Sequence, residues 1–186
     1  IESQISLFLE ANFNFLSFDI QTPIPIVNKY QTPHTLGVDR LAAAIGANAL
    51  FPKNDILIIQ MGSCITFDFV NAHAEYMGGS ISPGLMMRLN ALNLFSAQLP
   101  LVNPQWTDRL LGDSTETSIL TGVMQGIIDE CIGKIERYKK IYPKIRIILS
   151  GGDAKMFKNS IKNEIFAFPN LVLFGLNRIL DYNVEN

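Results

Sequence analysis

The residues best suited to chemistry include a carboxylate and a guanidinium at the start of an alanine-rich run. Asp39 and Arg40 open Asp39–Leu50, a segment whose composition predicts a helix. A carboxylate at a helix N-terminus can simply cap the helix. It can also face a cleft and accept a proton from a substrate hydroxyl, while the neighbouring arginine holds an anionic group. Spacing alone leaves both interpretations open.

A second candidate lies in a glycine-bearing turn between two β-rich runs. Ile56–Ile59 and Cys64–Val70 flank the sequence Gln60-Met-Gly-Ser63. Gly62 and the small hydroxyl residue Ser63 allow a ligand to approach the backbone closely. This pattern is typical of a phosphate-binding loop.

Two further features surround this turn. Thr66 and Asp68 alternate with apolar residues, so one face of their strand presents a hydroxyl and a carboxylate. Asp68 is as compatible with a structural hydrogen-bonding role as with a site. Pro83-Gly84 precedes a helical pattern at Leu85–Phe95, and the open N–H groups at such a helix start suit an anion. Arg88, in that helix, is equally compatible with a substrate contact and with a salt bridge.

The elements that must position these residues follow from periodicity and from turn residues. We predict further helices at Ile1–Asn12, Thr115–Ile141, Lys155–Glu164 and Leu176–Val184, and extended segments at Phe15–Ile20, Ile24–Tyr30, Arg146–Leu149 and Leu171–Phe174. The long helix carries an apolar stripe at Ile119, Val123, Ile127 and Cys131, with Ser114 or Thr115 as its N-cap. The strand ending in Ser150-Gly-Gly-Asp153 is as compatible with a tight turn as with a nucleotide site.

Composition excludes some classes of function. The chain has 186 residues, 48% of them hydrophobic, and a formal net charge of -2. The absence of a basic run argues against nucleic-acid binding. No apolar run approaches the roughly 18–20 residues that span a bilayer, so we expect no membrane association. Cys64 and Cys131 form no disulfide framework, and we expect buried free thiols in a reducing cytoplasm.

Five motifs in order and spacing resemble the type III pantothenate kinases from about Tyr30 to the C-terminus. They are Leu36-Gly-Val-Asp-Arg40, Gly62-Ser-Cys-Ile-Thr-Phe-Asp68, Gly78-Gly-Ser-Ile-Ser-Pro-Gly84, Gly112-Asp-Ser-Thr-Glu116 and Ser150-Gly-Gly-Asp153. The resemblance implies an α/β, ribonuclease-H-like fold of the actin-like ATPase (ASKHA) superfamily, with a mixed central sheet flanked by helices. It also implies ATP-dependent phosphorylation of pantothenate to 4'-phosphopantothenate, the first step of coenzyme A biosynthesis.

The resemblance also assigns residues. It implies that Asp39 is the catalytic base, that Tyr30, Gly37 and Arg40 contact pantothenate, and that Gly62, Ser63 and Cys64 contact ATP. Thr115 is implied to be donated across the interface of a homodimer with a shared active site. Residues 1–36 are interpreted as the end of an N-terminal lobe, and residues 37–186 as the C-terminal lobe with both substrate sites.

Two departures from the family pattern carry expectations. The family's first phosphate-binding motif, an Asp-x-Gly-Asn-Thr hairpin, is absent from this sequence, which opens without methionine in a predicted helix. We expect the motif upstream of Ile1, and we expect residues 1–186 alone to be inactive because ATP and Mg²⁺ lose an anchor. Gln60 stands where relatives carry the aspartate expected to bind K⁺ or NH₄⁺, so weak cation dependence is expected.

Two alternative functions stay open at this point. One is a non-catalytic regulatory protein, a transcriptional accessory factor built on the same scaffold. The other is a related kinase that acts on a different small hydroxylated acid. The retained pair Asp39-Arg40 favours an enzyme, because a pure binding protein needs no carboxylate beside a substrate pocket.

Overall fold

The computed structural model describes residues 2–161 and 164–185. In this part of the chain a six-stranded mixed sheet has helices on both faces. The strands are β1 Val27–Asn28, β2 Ile56–Met61, β3 Cys64–Val70, β4 Glu75–Pro83, β5 Arg146–Ser150 and β6 Phe166–Ala167. The helices are α1 Glu2–Asn12, α2 Val38–Leu50, α3 Leu85–Phe95, α4 Thr115–Ile141, α5 Ala154–Phe157 and α6 Leu171–Glu185, with a short 3₁₀ helix at Pro33–Thr35.

The sheet combines an antiparallel meander with parallel additions. Strands β2, β3 and β4 pair antiparallel in succession, while β5 pairs parallel with β2 and β6 parallel with β5. At the other edge β1 pairs parallel with β4, which gives the order β1-β4-β3-β2-β5-β6. The register places Ile58 of β2 opposite Asp68 of β3 and Ile148 of β5.

One face of the sheet, here called the apolar face, is hydrophobic throughout its centre. Its buried residues are Leu57, Ile59, Met61, Ile65, Phe67, Phe69, Ile147 and Leu149. They form one core with residues of α3, α4 and α5. The predicted stripe of α4 is confirmed, because Ile119, Val123, Ile127 and Cys131 are all buried in this core.

The other face, here called the mixed face, is apolar at one end and polar at the other. In register order it presents Ile56, Ile58 and Gln60 on β2, Val70, Asp68 and Thr66 on β3, and Ile148 and Ser150 on β5. The apolar end packs against the alanine-rich helix α2 and against α6. These two helices approach closely, since a Cβ built at Gly175 of α6 would lie 1.8 Å from the carbonyl oxygen of Ala42.

Several predicted elements are confirmed with small shifts of their ends. Helix α3 and strand β3 have the predicted bounds, α2 begins one residue earlier at Val38, and β2 continues to Met61. The predicted N-terminal helix is α1, and Ile1 lies outside the described residues. Strand β4 was not predicted, because its central pair Gly78-Gly79 has low strand propensity.

Two predicted strands are wrong, each for a physical reason. Phe15–Ile20 contains no strand; its end is folded into a turn in which the Asp19 carboxylate accepts hydrogen bonds from the N–H groups of Gln21 and Thr22. Leu171–Phe174 belongs to α6, where Leu171 and Ile179 are buried on one helical face. Of the predicted segment Ile24–Tyr30, only Val27–Asn28 is a strand.

The helix predicted at Lys155–Glu164 is shorter than expected. It is helix α5, which ends at Phe157 and is followed by turns, while residues 162–163 lie outside the described part. No helix among the described residues is long and apolar enough to cross a membrane.

Candidate active site

Asp39 lies in the first turn of α2 with its side chain exposed. Its Oδ1 accepts a hydrogen bond of 2.9 Å from the N–H of Arg40, while the N-cap residue Gly37 provides no side-chain cap. A Cβ built at Gly37 would lie 2.6 Å from Asp39 Oδ1, so glycine at this position leaves room for the carboxylate. The carboxylate therefore interacts with the helix start and is also accessible to a ligand.

Arg40, the next residue, points into the protein and forms a buried ion pair. Its Nε lies 3.0 Å from Oδ1 and 3.3 Å from Oδ2 of Asp68 on β3, and its Nη2 lies 2.6 Å from Oδ1. The side chain of Asp68 is 0% exposed and that of Arg40 is 7% exposed. Burial alone lowers the pKa of the Arg40 guanidinium, but the hydrogen bonds and charge of Asp68 outweigh burial and raise that pKa above its ordinary value.

Two hydroxyl groups complete the surroundings of Asp68. Tyr76 of β4 donates from its hydroxyl to Oδ1 at 2.7 Å, and Thr66 of β3 donates to Oδ2 at 2.8 Å. Burial, together with the charge and the hydrogen bond of Asp68, raises the pKa of Tyr76, so its hydroxyl stays protonated and donates. The structural interpretation of Asp68, left open by the sequence, is therefore supported by four donor groups around one carboxylate.

Tyr30 forms a wall beside this network. Its ring centroid lies 6.1 Å from that of Tyr76 and 5.8 Å from the guanidinium carbon of Arg40. A Cβ built at Gly78 of β4 would lie 3.1 Å from the Tyr30 ring, so the glycine lets the ring lie against the strand. The structure thus brings together four predicted residues, Tyr30, Gly37, Asp39 and Arg40.

The glycine-bearing turn is the hairpin that joins β2 to β3. Gly62 donates its N–H to the carbonyl of Cys64 at 3.0 Å, and Gly84 donates its N–H to the carbonyl of Ser63 at 3.0 Å. Gly84 is the N-cap of α3, and a Cβ built there would lie 2.0 Å from the carbonyl oxygen of Gly62. Glycine at position 84 therefore allows the N-terminus of α3 to lie directly against the hairpin.

The segment after β5 lies against the same hairpin. Gly151 has a φ of +96°, and a Cβ built there would lie 2.2 Å from the carbonyl oxygen of Met61. Asp153 donates its N–H to that carbonyl at 3.1 Å, and partial burial raises the pKa of its carboxyl. A cleft of about 570 Å³ opens beside this segment, lined by Leu149, Gly151, Gly152, Ala154, Lys155, Lys158, Ala167, Pro169 and Asn170.

Gln60 lies on the mixed face between Thr66 of β3 and Ser150 of β5, and it is half-buried. Its side-chain amide offers a neutral carbonyl oxygen as a ligand. Among the described residues no group of three or more histidine, cysteine, aspartate or glutamate side chains has the spacing of a metal site. Cys64, at the start of β3, is half-buried rather than buried as expected.

The polar end of the mixed face connects the two sets of residues. Along β3, the same-face row Asp68, Thr66, Cys64 leads from the Arg40 ion pair to the hairpin, a distance of about 13 Å. An accessible carboxylate thus lies at one end, and the hairpin with the N-terminus of α3 packed against it lies at the other. Such an arrangement can hold an alcohol beside a base and direct phosphates towards the glycine-bearing turn.

Thr115 lies elsewhere in the same chain. It is exposed at the start of α4 and lines a cleft of about 1100 Å³ between α3 and α4, on the side of the apolar face. Ser114 is the N-cap, because its Oγ accepts a hydrogen bond of 3.2 Å from the N–H of Thr117. The structure therefore does not bring Thr115 together with Asp39 within one chain.

Sequence reasoning missed Tyr76 and the role of Gly84, and it left Arg88 open. No pattern in the sequence marks Tyr76, and Pro83-Gly84 indicates a helix start but not the contact of Gly84 with the hairpin. Arg88 forms a salt bridge with Glu130 of α4, and its Nε donates to the carbonyl of Pro83 at 2.8 Å. These contacts tie the first turn of α3 to α4.

Comparison with known sequences shows which proteins this chain resembles. A family model of the type III pantothenate kinases matches residues 2–137. Over 171 residues the chain is 47% identical to a type III pantothenate kinase of Phocaeicola vulgatus, an alignment that covers 92% of this chain and 71% of that relative. It is 49% identical over 168 residues to a Bacteroides fragilis protein of the same name, covering 90% and 69%. It is 43% identical over 183 residues to the Christiangramia forsetii protein of that name, an alignment that covers 98% of this chain and 75% of that relative.

The fold also has a solved relative. A Baf family protein from Campylobacter jejuni, described as a transcriptional activator, superposes with a TM-score of 0.64 at 21% identity, covering 98% of this chain and 80% of that one. At this level of identity the likeness concerns the fold alone. It confirms the predicted α/β architecture with a mixed sheet flanked by helices.

Proposed function

This chain belongs to the type III pantothenate kinase family, and we propose that it phosphorylates pantothenate with ATP to give 4'-phosphopantothenate and ADP. The family supplies the reaction class. The observation that carries the assignment of residues is the exposed Asp39 carboxylate beside Arg40, which is held by Asp68 of β3, the strand that begins at the glycine-bearing hairpin. This reaction is the first step of coenzyme A biosynthesis.

In the proposed mechanism, Asp39 is the general base. Its carboxylate accepts the proton of the primary hydroxyl of pantothenate as the hydroxyl oxygen bonds to the γ-phosphorus of ATP and the bond to the leaving ADP oxygen breaks. Little covalent chemistry is required of the protein, so positioning and charge stabilisation carry most of the rate. Arg40 and Tyr30 form the wall against which pantothenate is held. Gly37 leaves room for the carboxylate of Asp39.

We assign the phosphates of ATP to the hairpin at residues 62–64. The backbone of Gly62, Ser63 and Cys64 can approach them closely, and the N-terminus of α3 adds N–H groups and the positive end of its dipole. The nucleoside is assigned to the cleft beside Gly151-Gly152, where Lys155 and Lys158 lie. Support comes from the contact of Gly84 and Gly151 with the same hairpin.

Two metal ions belong to the proposal. Mg²⁺ is characteristically bound by one or two carboxylates together with substrate phosphates. Gly62, Ser63 and Cys64 supply no carboxylate, so an ion at the hairpin would be held chiefly by the phosphates of ATP. When bound there, it neutralises phosphate charge. The fit to a monovalent cation such as K⁺ is poorer, because Gln60 offers an amide oxygen in place of a carboxylate.

We further propose a homodimer in which the partner subunit supplies Thr115 to the pantothenate site. Thr115 lies apart from Asp39 in one chain, and the helix across its cleft exposes large apolar side chains. Leu94 is 75% exposed and Phe95 is 84% exposed on α3. Such a surface is typical of a protein interface. A cytoplasmic location, which the free cysteines favour, and the absence of nucleic-acid and membrane partners remain predictions.

The test is direct detection of the product. The enzyme that carries this sequence is incubated with ATP, Mg²⁺ and pantothenate, and 4'-phosphopantothenate is measured by mass spectrometry. The expected result is one equivalent of ADP per phosphorylated acid. Binding of pantothenate by titration calorimetry without any turnover would instead support the regulatory alternative. Turnover of another hydroxy acid in preference to pantothenate would identify a related kinase.

A further inference from the structure

We propose that Asp68 is a positioning residue of this active site: with Tyr76 and Thr66, it fixes the guanidinium of Arg40 and thereby the first turn of α2 that carries Asp39. The proposal deepens the proposed function and rests on it for the identity of the substrate. It concerns a group that does not itself contact the reacting atoms.

The first argument is that the Asp68 carboxylate accepts a full set of hydrogen bonds. An ionised carboxylate has about four lone-pair sites for donors. Here Nε and Nη2 of Arg40 and the hydroxyls of Tyr76 and Thr66 supply four donor groups, at distances between 2.6 and 3.3 Å. Each donor comes from a fixed element, so the carboxylate has one orientation.

The second argument is that the fixed carboxylate of Asp68 orients the guanidinium of Arg40. Arg40 is the only ionic partner of Asp68 among the described residues, and a side chain that left the pair would abandon a buried charge. The guanidinium is therefore held with Nε and Nη2 towards β3. The Nη1 side remains outside the ion pair, at the end of a side chain that also contacts the Tyr30 ring. Because the pair is neutral as a whole, Arg40 offers directed N–H groups to the substrate rather than a net charge.

The third argument weighs stability against function. A buried ion pair is weak evidence for stability, since well-packed apolar residues of similar volume are often at least as stable. The apolar face of the same sheet uses hydrophobic residues throughout its centre. The ion pair lies instead on the mixed face, and its member Arg40 is the residue next to Asp39 in the chain. Together with Tyr76 it joins three elements, α2, β3 and β4, in a fixed arrangement.

The experiment removes the two hydroxyl donors and leaves the ion pair intact. Tyr76→Phe and Thr66→Val preserve shape, and each leaves one lone pair of Asp68 without its donor. The matched controls are Tyr142→Phe, on the ring that stacks against Phe69, and Thr121→Val, whose buried hydroxyl has no hydrogen-bond partner among the described residues. All four variants are made in the enzyme that carries this sequence. Tyr76→Phe and Thr66→Val are also made in an Arg40→Lys background.

Two measurements are taken. The first is steady-state kinetics: Tyr76→Phe and Thr66→Val should each raise the KM for pantothenate about fivefold, the scale of one lost hydrogen bond, without changing the KM for ATP. In the Arg40→Lys background the same substitutions should change the KM for pantothenate by less than about twofold, because they act through the guanidinium of Arg40. The second is NMR of the substrate-free protein, where hydrogen exchange at Arg40 Nε should accelerate at least about tenfold.

Equal changes in KM in both backgrounds would overturn the proposal, as would a lowered melting temperature with an unchanged KM for pantothenate. Unchanged exchange at Arg40 Nε would also overturn it. If the parent enzyme does not phosphorylate pantothenate at all, the proposed function fails separately. The exchange measurement, which needs no substrate, then decides whether Asp68 and its hydroxyl donors fix Arg40.

Discussion

The two faces of the central sheet use the same strands for different purposes. On the apolar face, β2 and β3 present Leu57, Ile59 and Phe67 to α4, and their exposures are 0–1%. On the mixed face the alternate residues of the same strands include Gln60, Thr66 and Asp68. One strand therefore contributes to a hydrophobic core on one side and to a polar network on the other.

This difference separates stability from chemistry. On the apolar face the described residues of β2, β3 and β5 are all hydrophobic, and polar side chains enter only from β4 and α4, as Ser80, Ser82 and Lys134, so the main contribution of this face is burial of hydrophobic area. On the mixed face an ion pair occupies buried positions, and its net contribution to stability is small. The two faces should therefore respond differently to substitution, with loss of folding on one and loss of turnover or substrate binding on the other.

The largest effect is expected at the polar end of the mixed face. Asp39→Asn should lower kcat by about 10²–10⁴-fold, the contribution typical of a general base, while leaving pantothenate binding and the melting temperature unchanged. Asp129→Asn, an exposed carboxylate on α4, is the matched control and should retain the parental rate. A near-parental rate for Asp39→Asn, measured in the phosphopantothenate assay, would refute the role of base.

The next effect concerns the apolar face. Phe67→Ala should reduce the free energy of unfolding by about 3–5 kcal/mol through the cavity it leaves, with little change in kcat per folded molecule. Phe13→Ala, at a side chain that is 61% exposed, should change the free energy of unfolding by no more than about 0.5 kcal/mol. Urea denaturation measures both. A catalytic defect in folded Phe67→Ala molecules would erase the distinction between the faces.

The junction of the two faces at the hairpin gives a third test. Gly84→Ala should cost about 1–3 kcal/mol of stability and raise the KM for ATP, because the new Cβ meets the backbone of Gly62 and Ser63. Gly62→Ala meets nothing within 4 Å, so its free energy of unfolding should stay within about 0.5 kcal/mol of the parent. If both variants were equally stable, the close approach of α3 to the hairpin would not be required.

A smaller effect is expected from the cation position on the mixed face. The parent enzyme should show less than about twofold activation by K⁺, and Gln60→Asp should show several-fold activation, because a carboxylate binds a cation more strongly than an amide. Rates are measured in a K⁺ titration at constant ionic strength, with Gln60→Asn as the uncharged control. Strong K⁺ activation of the parent would contradict the interpretation of Gln60.

The smallest effect separates the two thiols. Burial, together with the nearby charge of Glu130, raises the pKa of Cys131 to about 12. At pH 8 only a fraction on the order of 10⁻⁴ of this thiol is ionised, so iodoacetamide should leave Cys131 unmodified in the native protein. Cys64, half-buried beside the hairpin, should react first, and peptide mass spectrometry distinguishes the two sites. Modification of Cys131 before Cys64 would show that the apolar core opens readily.

Much of the fold was predictable because its elements have strong local signals. The alanine-rich run predicts α2, the spacing of Ile119, Val123 and Ile127 predicts the buried stripe of α4, and the alternation in β3 predicts a strand with two different faces. The errors occur where the local signal is weak or shared. Leu171–Phe174 is apolar enough for a strand, yet its burial at helical spacing with Ile179 makes it the start of α6.

The candidate site divides in the same way. The sequence by itself determined that Asp39 and Arg40 begin a helix and that Gly62-Ser63 lies between two strands, because these are properties of a few consecutive residues. Only the tertiary structure decided that Arg40 pairs with Asp68, 28 positions away, and that Tyr76 and Thr66 complete the same carboxylate. Those contacts depend on strand register and on how α2 packs across the sheet, and both are set by the collective burial of the core rather than by any local pattern.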